Sequence, residues 1–349
     1  MSWYDWAKTL SYDAPITTVV GGRGIGKTYG LRMQFVSDFT KGEERFTEIC
    51  RYQSEITDVA QGYFSKFEER NEFPDYMFKT DGKSAYIADR VIMSEEKPDW
   101  EQCGYFVALT SQQRLKKQTF SKIRRCLLDE AILDRHDRYH RYIPHEFETL
   151  ANVMSTLLRE TPDIATRGRL YLLGNSCSLV NPYFEALGID KTPEYGYSWH
   201  NDKTCLLHYV EPMQNAERRT NTLVGRMLAG NSESEQMFDN KFIESDSEFV
   251  ESKSSTAKFS YAIVYNNCKL AVWEDLKAGI VYINGSVPKN SKRVYYVTKA
   301  DASIDYQAIR KTEPLVKILV SLYFSGYLRY DTPVRREHFF ELLSFLGVS

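Results

Sequence analysis

Residues 16–28 read Ile16-Thr17-Thr18-Val19-Val20-Gly21-Gly22-Arg23-Gly24-Ile25-Gly26-Lys27-Thr28, a β-branched run that breaks into a glycine-rich loop. The run 16–20 predicts a buried strand. The loop fits the spacing G-x-x-x-x-G-K-[ST], with Gly21, Gly26, Lys27 and Thr28 in the fixed places. Glycines let such a backbone turn tightly and aim its N–H groups at phosphate oxygens. Lys27 is expected on the β/γ-phosphates and Thr28 on magnesium. Gly22, Arg23, Gly24 and Ile25 complete the cradle. Leu31, Phe35, Val36 and Phe39 then fall at helical spacing. Strand, loop and helix follow in the order a nucleotide site needs, and a helix N-terminus favours anions. The expected ligands are ATP and Mg2+.

The bulk composition bounds the class. At 349 residues the length suggests two domains. A hydrophobic share of 42% and a charged share of 26% describe a globular chain. The aromatic share of 14% supplies ample core. A net charge of −2 argues against a uniformly basic coat for nucleic acid, though not against a local basic lining. The six cysteines form no C-x-x-C pair and no zinc spacing, which predicts reduced thiols. The opening Met1-Ser2-Trp3-Tyr4 is not a signal peptide. No apolar run approaches the roughly 18 residues of a membrane span. A cytoplasmic protein is expected, with no membrane partner.

Strand and helix signals alternate over the first two hundred or so residues, which predicts an α/β domain with a mostly parallel sheet. Strands are expected at 46–52, 105–109, up to 128, and at 170–173, with a hairpin over 76–88 turning at Asp81-Gly82. A helical stretch with Arg218, Arg219 and Arg226 occupies 212–236, and acidic polar segments at 231–236 and 244–248 suggest a linker and a loop. From 258 the pattern becomes a meander of strands at 258–265, 270–273, 279–283 and 293–298. Helices follow at 314–327 and 333–346. The expected organisation is a domain over 1–208, a linker over 209–237 and a small α+β domain over 238–349.

Hydrolysis needs more than a phosphate loop. Leu127-Leu128-Asp129-Glu130 offers two carboxylates. Asp129 is expected at the end of a strand beside the 16–20 strand, holding the metal through water, with Glu130 polarising the attacking water. Asn175 follows the 170–173 strand and is placed to sense the γ-phosphate or orient water. Arg159 follows an apolar helical stretch. It either favours the helix dipole or enters a neighbouring subunit's site; spacing alone favours the dipole.

Several motifs in one order resemble the DNA-encapsidation (genome-packaging) ATPases of small tailed phages with protein-primed linear genomes. They are Leu10-Ser11-Tyr12-Asp13, the 20–29 segment, Arg51-Tyr52, Leu128-Asp129-Glu130, Tyr142-Ile143-Pro144, Asn181-Pro182-Tyr183-Phe184, 260–266 and 326–331. The resemblance implies a P-loop NTPase of the additional-strand, catalytic-glutamate class. It implies a homo-oligomeric ring, typically a pentamer, at the portal of a preformed capsid. ATP hydrolysis by such a ring drives double-stranded DNA inward. It implies that Arg159 acts in trans, and in one branch of the family a structural packaging RNA joins ring to portal. Where the family carries a DNA-facing lysine this chain has Gln53. That leaves Arg51, Arg114, Lys116 and Lys117 as basic candidates, or as ordinary surface charge.

Packaging motors of larger phages fuse the ATPase to a ribonuclease-H-like nuclease, and the second domain resembles that fold. Two-metal cleavage needs clustered carboxylates. The strand 259–265 holds no acid, and Glu274, Asp275, Asp301 and Asp305 are scattered. A vestigial, non-cleaving domain is expected. Its Lys289, Lys292, Arg293, Arg335 and Arg336 are candidate contacts to nucleic acid or portal. The rival readings are a terminase-type ATPase with an active nuclease, and a nucleotide-switched assembly module with little turnover.

Overall fold

The computed structural model describes residues 3–42, 44–90, 97–133, 142–159, 167–179, 181–189, 192–212, 223–227, 249–310 and 312–347. The chain divides into one unit of Met1–Ile189 with Pro193–Ile243 and another of Asp190–Thr192 with Glu244–Ser349. Most of the expected 209–237 linker and the acidic segments 231–236 and 244–248 lie outside the described residues, as do Arg218 and Arg219.

The first unit carries strands β1 (Ile16–Val20), β2 (Arg45–Cys50), β3 (Tyr76–Asp81), β4 (Ser84–Asp89), β5 (Glu101–Ala108), β6 (Ile123–Leu128), β7 (Arg169–Gly174), β8 (Gly196–His200) and β9 (Cys205–Tyr209). Their order in the sheet is β3-β4-β5-β2-β6-β7-β1-β9-β8. From β5 to β9 every neighbouring pair is parallel. Antiparallel pairs finish both edges. The mostly parallel sheet agrees with the sequence. One expectation fails: β6 is not beside β1, because β7 lies between them. Sequence order says nothing of which strand inserts between two others.

The helices are α1 (Trp6–Ser11), α2 (Lys27–Gly42), α3 (Glu55–Gly62), α4 (Ser65–Glu69), α5 (Gln112–Leu115), α6 (Glu146–Leu157), α7 (Pro182–Ala186) and α8 (Leu223–Met227). Leu31, Phe35, Val36 and Phe39 put one face of α2 into the core. Much of the aromatic share is spent there. Phe46 of β2 stacks on Tyr63 at a centroid distance of 4.9 Å, and both are buried with Phe35, Phe67 and Phe106.

The second unit holds β10 (Lys258–Tyr265), β11 (Cys268–Asp275), β12 (Ile280–Asn284), β13 (Val294–Tyr296), β14 (Gln307–Ala308) and β15 (Leu328–Tyr330), with helices α9 (Pro314–Phe324) and α10 (Pro333–Phe345). The order is β14-β13-β10-β11-β12-β15. Only β10, β11 and β12 form the expected meander. The fourth run, β13, returns beside β10 and pairs parallel to it. Alternate residues Tyr261, Ile263, Leu270 and Val272 face a core shared with Val316, Leu319, Phe339 and Leu342. Thr332 caps α10, accepting from Arg335 N at 3.0 Å.

Two buried acids pin turns of this sheet. Asp275 accepts from Ser254 Oγ, from Thr256 Oγ1 at 2.6 Å, and from the N–H groups of Lys277 and Ala278 at 3.0 and 3.1 Å. Asp301 accepts from Thr298 Oγ1 and from the N–H groups of Asn266 and Asn267. The hydroxyls of Ser254 and Thr256, helped by the two N–H donors, hold the Asp275 carboxyl well below the usual range. The folded pKa is depressed, so this support is complete above about pH 4 and is lost as pH falls through the carboxylate range. Thermal unfolding of the full chain should show Asp275→Asn melting below wild type at pH 7, with the difference shrinking by pH 3.

Candidate functional site

The 21–28 loop leaves the carboxyl end of β1 at the centre of the sheet. Val20 pairs with Gly174 of β7, and Gly21 N–H donates to the Gly174 carbonyl at 3.2 Å. Leu172 pairs in turn with Leu128 of β6, and Ala131 N–H reaches the Leu173 carbonyl at 2.7 Å. The register therefore brings Gly21, Asn175 and the Asp129-Glu130 step to one edge, where open α/β sheets bind ligands. Gly24 and Gly26 have φ of +71° and +87°, a region that L side chains avoid.

Lys27 is buried and its ammonium is already committed. It donates to the carbonyls of Gly21 and Gly22 at 2.7 and 2.9 Å, and to Asn175 Oδ1 at 3.3 Å. These three acceptors are neutral, and a phosphate oxygen is a stronger acceptor for an ammonium than a carbonyl. Asn175 and Lys27, far apart in sequence, are in contact. Thr28 is half-buried at the start of α2, and Arg23 and Gly24 are exposed.

Asp129 is half-buried and Glu130 exposed. Glu130 has φ of +50°, and its N–H donates to Asp129 Oδ1 at 3.0 Å. The left-handed region is uncommon for a non-glycine residue, and the Asp129 side chain caps the turn through this bond. Arg159 stands apart. It is exposed, beyond the last turn of α6, with about 18 Å of helix between it and the α6 N-terminus.

Sequence reasoning missed what holds the Glu130 turn. Arg51 is buried, so it is not a DNA-facing side chain. Its guanidinium donates to both oxygens of buried Glu146 at 3.0 Å and to the carbonyls of Glu130 and Ala131. Glu146 also accepts from Tyr183 Oη and from Ile143 N–H. Burial works against the charge of Arg51, and Glu146 outweighs it, raising the Arg51 pKa. A second pair, Arg32 with buried Glu48, was equally invisible; Arg32 donates to Glu48 Oε2 at 2.9 Å. Arg32 and Glu48 each lie within electrostatic reach of Asp129. No residue type in these segments signals that a charge will be buried.

A family model described as Podovirus DNA encapsidation protein (Gp16) matches residues 1–347. The chain belongs to this family. It is 31% identical over 341 residues to the DNA packaging protein of Bacillus phage phi29, covering 97% of this chain and 96% of that one. Identity to the DNA packaging protein of Bacillus phage PZA is 30%, with the same coverage. Among solved structures, it is similar to a chain of the bacteriophage Phi-29 viral genome packaging motor assembly, at a TM-score of 0.72 and 28% identity. That match covers 99% of this chain and 100% of that one. The Phi-28 gp11 DNA packaging motor shares the fold at a TM-score of 0.63 and 19% identity, covering 99% and 98% of the two chains. The resemblance drawn from scattered motifs is thus borne out: this is a phage DNA packaging protein. Among the described residues no helix is long and apolar enough to cross a membrane.

Truncating Arg51 leaves Glu146 charged and buried, which costs about 3–5 kcal/mol. Urea denaturation should show this loss for Arg51→Ala. Arg51→Met combined with Glu146→Leu should recover most of it, because no charge is then stranded.

Proposed function

We propose that the encapsidation protein hydrolyses ATP and uses the cycle to move double-stranded DNA through a portal into a preformed capsid. The observation that carries this is the Lys27–Asn175 contact at the shared carboxyl edge of β1, β7 and β6. The single strand β7 between β1 and β6 supports reading the domain as the additional-strand, catalytic-glutamate class of P-loop NTPase. ATP phosphates take the loop N–H groups, and Lys27 exchanges two carbonyls for β/γ-oxygens. Glu130 polarises the attacking water and Asn175 orients it or senses the γ-phosphate. The Thr28 hydroxyl and the Asp129 carboxylate are hard oxygen donors that suit Mg2+, which keeps several of its waters. Bound there, the ion supplies charge neutralisation at the phosphates.

Arg159 is read as the group that completes the site of a neighbouring protomer. Its exposure beyond α6, away from the Glu146 end, supports a role in trans within a homo-oligomeric ring. A pentamer on the capsid portal, with a packaging RNA in some members, follows from the family resemblance. For DNA, Gln53 is not an isolated loss of charge. Its Oε1 accepts from Lys83 Nζ at 3.0 Å and from Ser111 Oγ at 2.6 Å. Lys83 thus supplies an ammonium beside position 53, next to the exposed Arg114, Lys116 and Lys117 that follow Ser111.

The second unit is read as a vestigial ribonuclease-H-like domain. In chain order its strands run third, second, first, fourth, fifth from β12 to β14, with β15 added beside β12, an order that supports this reading. Asp275 and Asp301 are spent on turns rather than on a metal cage. A nuclease assay of the full chain with Mn2+ should show no cleavage; cleavage lost in Asp275→Ala would establish the terminase-type rival.

The motor reading is tested by ATP turnover of Glu130→Gln and Arg159→Ala, separately and mixed. Each alone should lose at least about tenfold in rate, since a single transition-state charge contact is worth several kcal/mol. Mixed rings should recover activity at sites pairing an intact Glu130 with an intact Arg159. Monomers hydrolysing as fast as assemblies, with no rescue on mixing, would exclude the shared site.

A further inference from the structure

The N-terminal segment is fastened to the loop at three successive points. Tyr4 N–H donates to the Ile25 carbonyl at 3.0 Å, and Trp6 Nε1 donates to the Lys27 carbonyl at 2.8 Å. The Trp3 ring lies flush on Gly26: a Cβ built there would meet Trp3 Cε3 at 2.3 Å. Trp3 nevertheless keeps 49% of its surface exposed, unusual for a tryptophan this close to a buried loop.

Around it stands an aromatic and cationic group, of which Tyr29 also packs on core Phe67 at a centroid distance of 5.4 Å. Tyr29, the residue directly after Thr28, has its ring centroid 6.1 Å from that of Trp3. The Arg70 guanidinium, at the end of α4, sits 5.4 Å from the Trp3 ring and 5.0 Å from the Tyr29 ring. Tyr29 Oη donates to Glu72 at 2.5 Å, which fixes the orientation of its ring. The group borders the C-terminal end of the phosphate loop, where Trp3 meets Gly26 and Tyr29 follows Thr28.

We propose that Trp3, Tyr29 and Arg70 form the platform that binds the base of the nucleotide. This rests on the nucleotide reading of the loop and adds the element that distinguishes a nucleoside triphosphate from bare polyphosphate. A purine linked to phosphates in the loop stacks on the half-exposed Trp3 ring. Arg70, already lying on two π-faces, supplies a planar cationic partner. Tyr29 borders the sugar end. Stacking tolerates any base, so the platform binds ATP and GTP with similar strength and selects by ring area rather than by edge.

The test is isothermal titration of the full chain with a slowly hydrolysed ATP analogue and with inorganic tripolyphosphate, both with Mg2+. Trp3→Ala should weaken the ATP analogue by about tenfold, the scale of one base–aromatic stack, and leave tripolyphosphate unchanged. Trp3→Phe, which keeps a ring, should stay within about threefold of wild type. Equal weakening of both ligands by Trp3→Ala would mean that Trp3 only shapes the loop, and would overturn the platform. So would no effect on either ligand. Lys27→Ala separates the two levels of the argument: it should weaken both ligands. If it weakens neither, the loop reading itself fails; if it weakens both while Trp3→Ala spares ATP, only the platform fails.

Discussion

The insertion of β7 between β1 and β6 is the constraint on which the rest depends. Parallel pairing on both sides fixes its register, Val20 against Gly174 and Leu128 against Leu172. A slip of one residue would turn every β7 side chain to the opposite face and carry Asn175 away from Lys27. Leu170, Tyr171, Leu172 and Leu173 are all buried, so a slip would also have to repack both covered faces of the strand. Apolar packing of one strand thus sets the distance between a lysine at residue 27 and an amide at residue 175.

The same edge is dense in buried charge, and each charge is held differently. Lys27 rests on carbonyls, which give it up to a stronger acceptor. Arg51 and Arg32 rest on carboxylates, which do not. The first arrangement leaves a cation available to a ligand. The second supports the Glu130 turn and the surroundings of Asp129 without competing for phosphate. In the C-terminal unit Asp275 and Asp301 show a third use, where carboxylates accept from the N–H groups of tight turns.

Much of this was legible in the sequence. The strand 16–20, its loop and the face of α2 follow from β-branching, glycine spacing and helical period. The Asp81-Gly82 hairpin and the Thr332 cap follow from turn and cap chemistry. What stayed hidden was lateral order: nothing in 123–128 or 169–174 states that β7 lies inside, or that β13 returns beside β10. Burial of Arg51, Glu146 and Glu48 was hidden for the same reason, since each partner is remote in sequence. The meeting of Trp3 with Arg70 was hidden too, because it is set by tertiary packing and not by spacing.

The central claim is that the loop, Asn175 and Glu130 of one protomer act on one triphosphate together with Arg159 of a neighbour. A structure of the assembled protein with DNA and a slowly hydrolysed ATP analogue tests it most directly. The account predicts Lys27 Nζ moved from the Gly21 and Gly22 carbonyls to phosphate oxygens, with Asn175 and Glu130 at the γ-phosphate and Arg159 reaching in from the adjacent protomer. A triphosphate seated away from the 21–28 loop, or one whose γ-phosphate meets no arginine from another protomer, would contradict it.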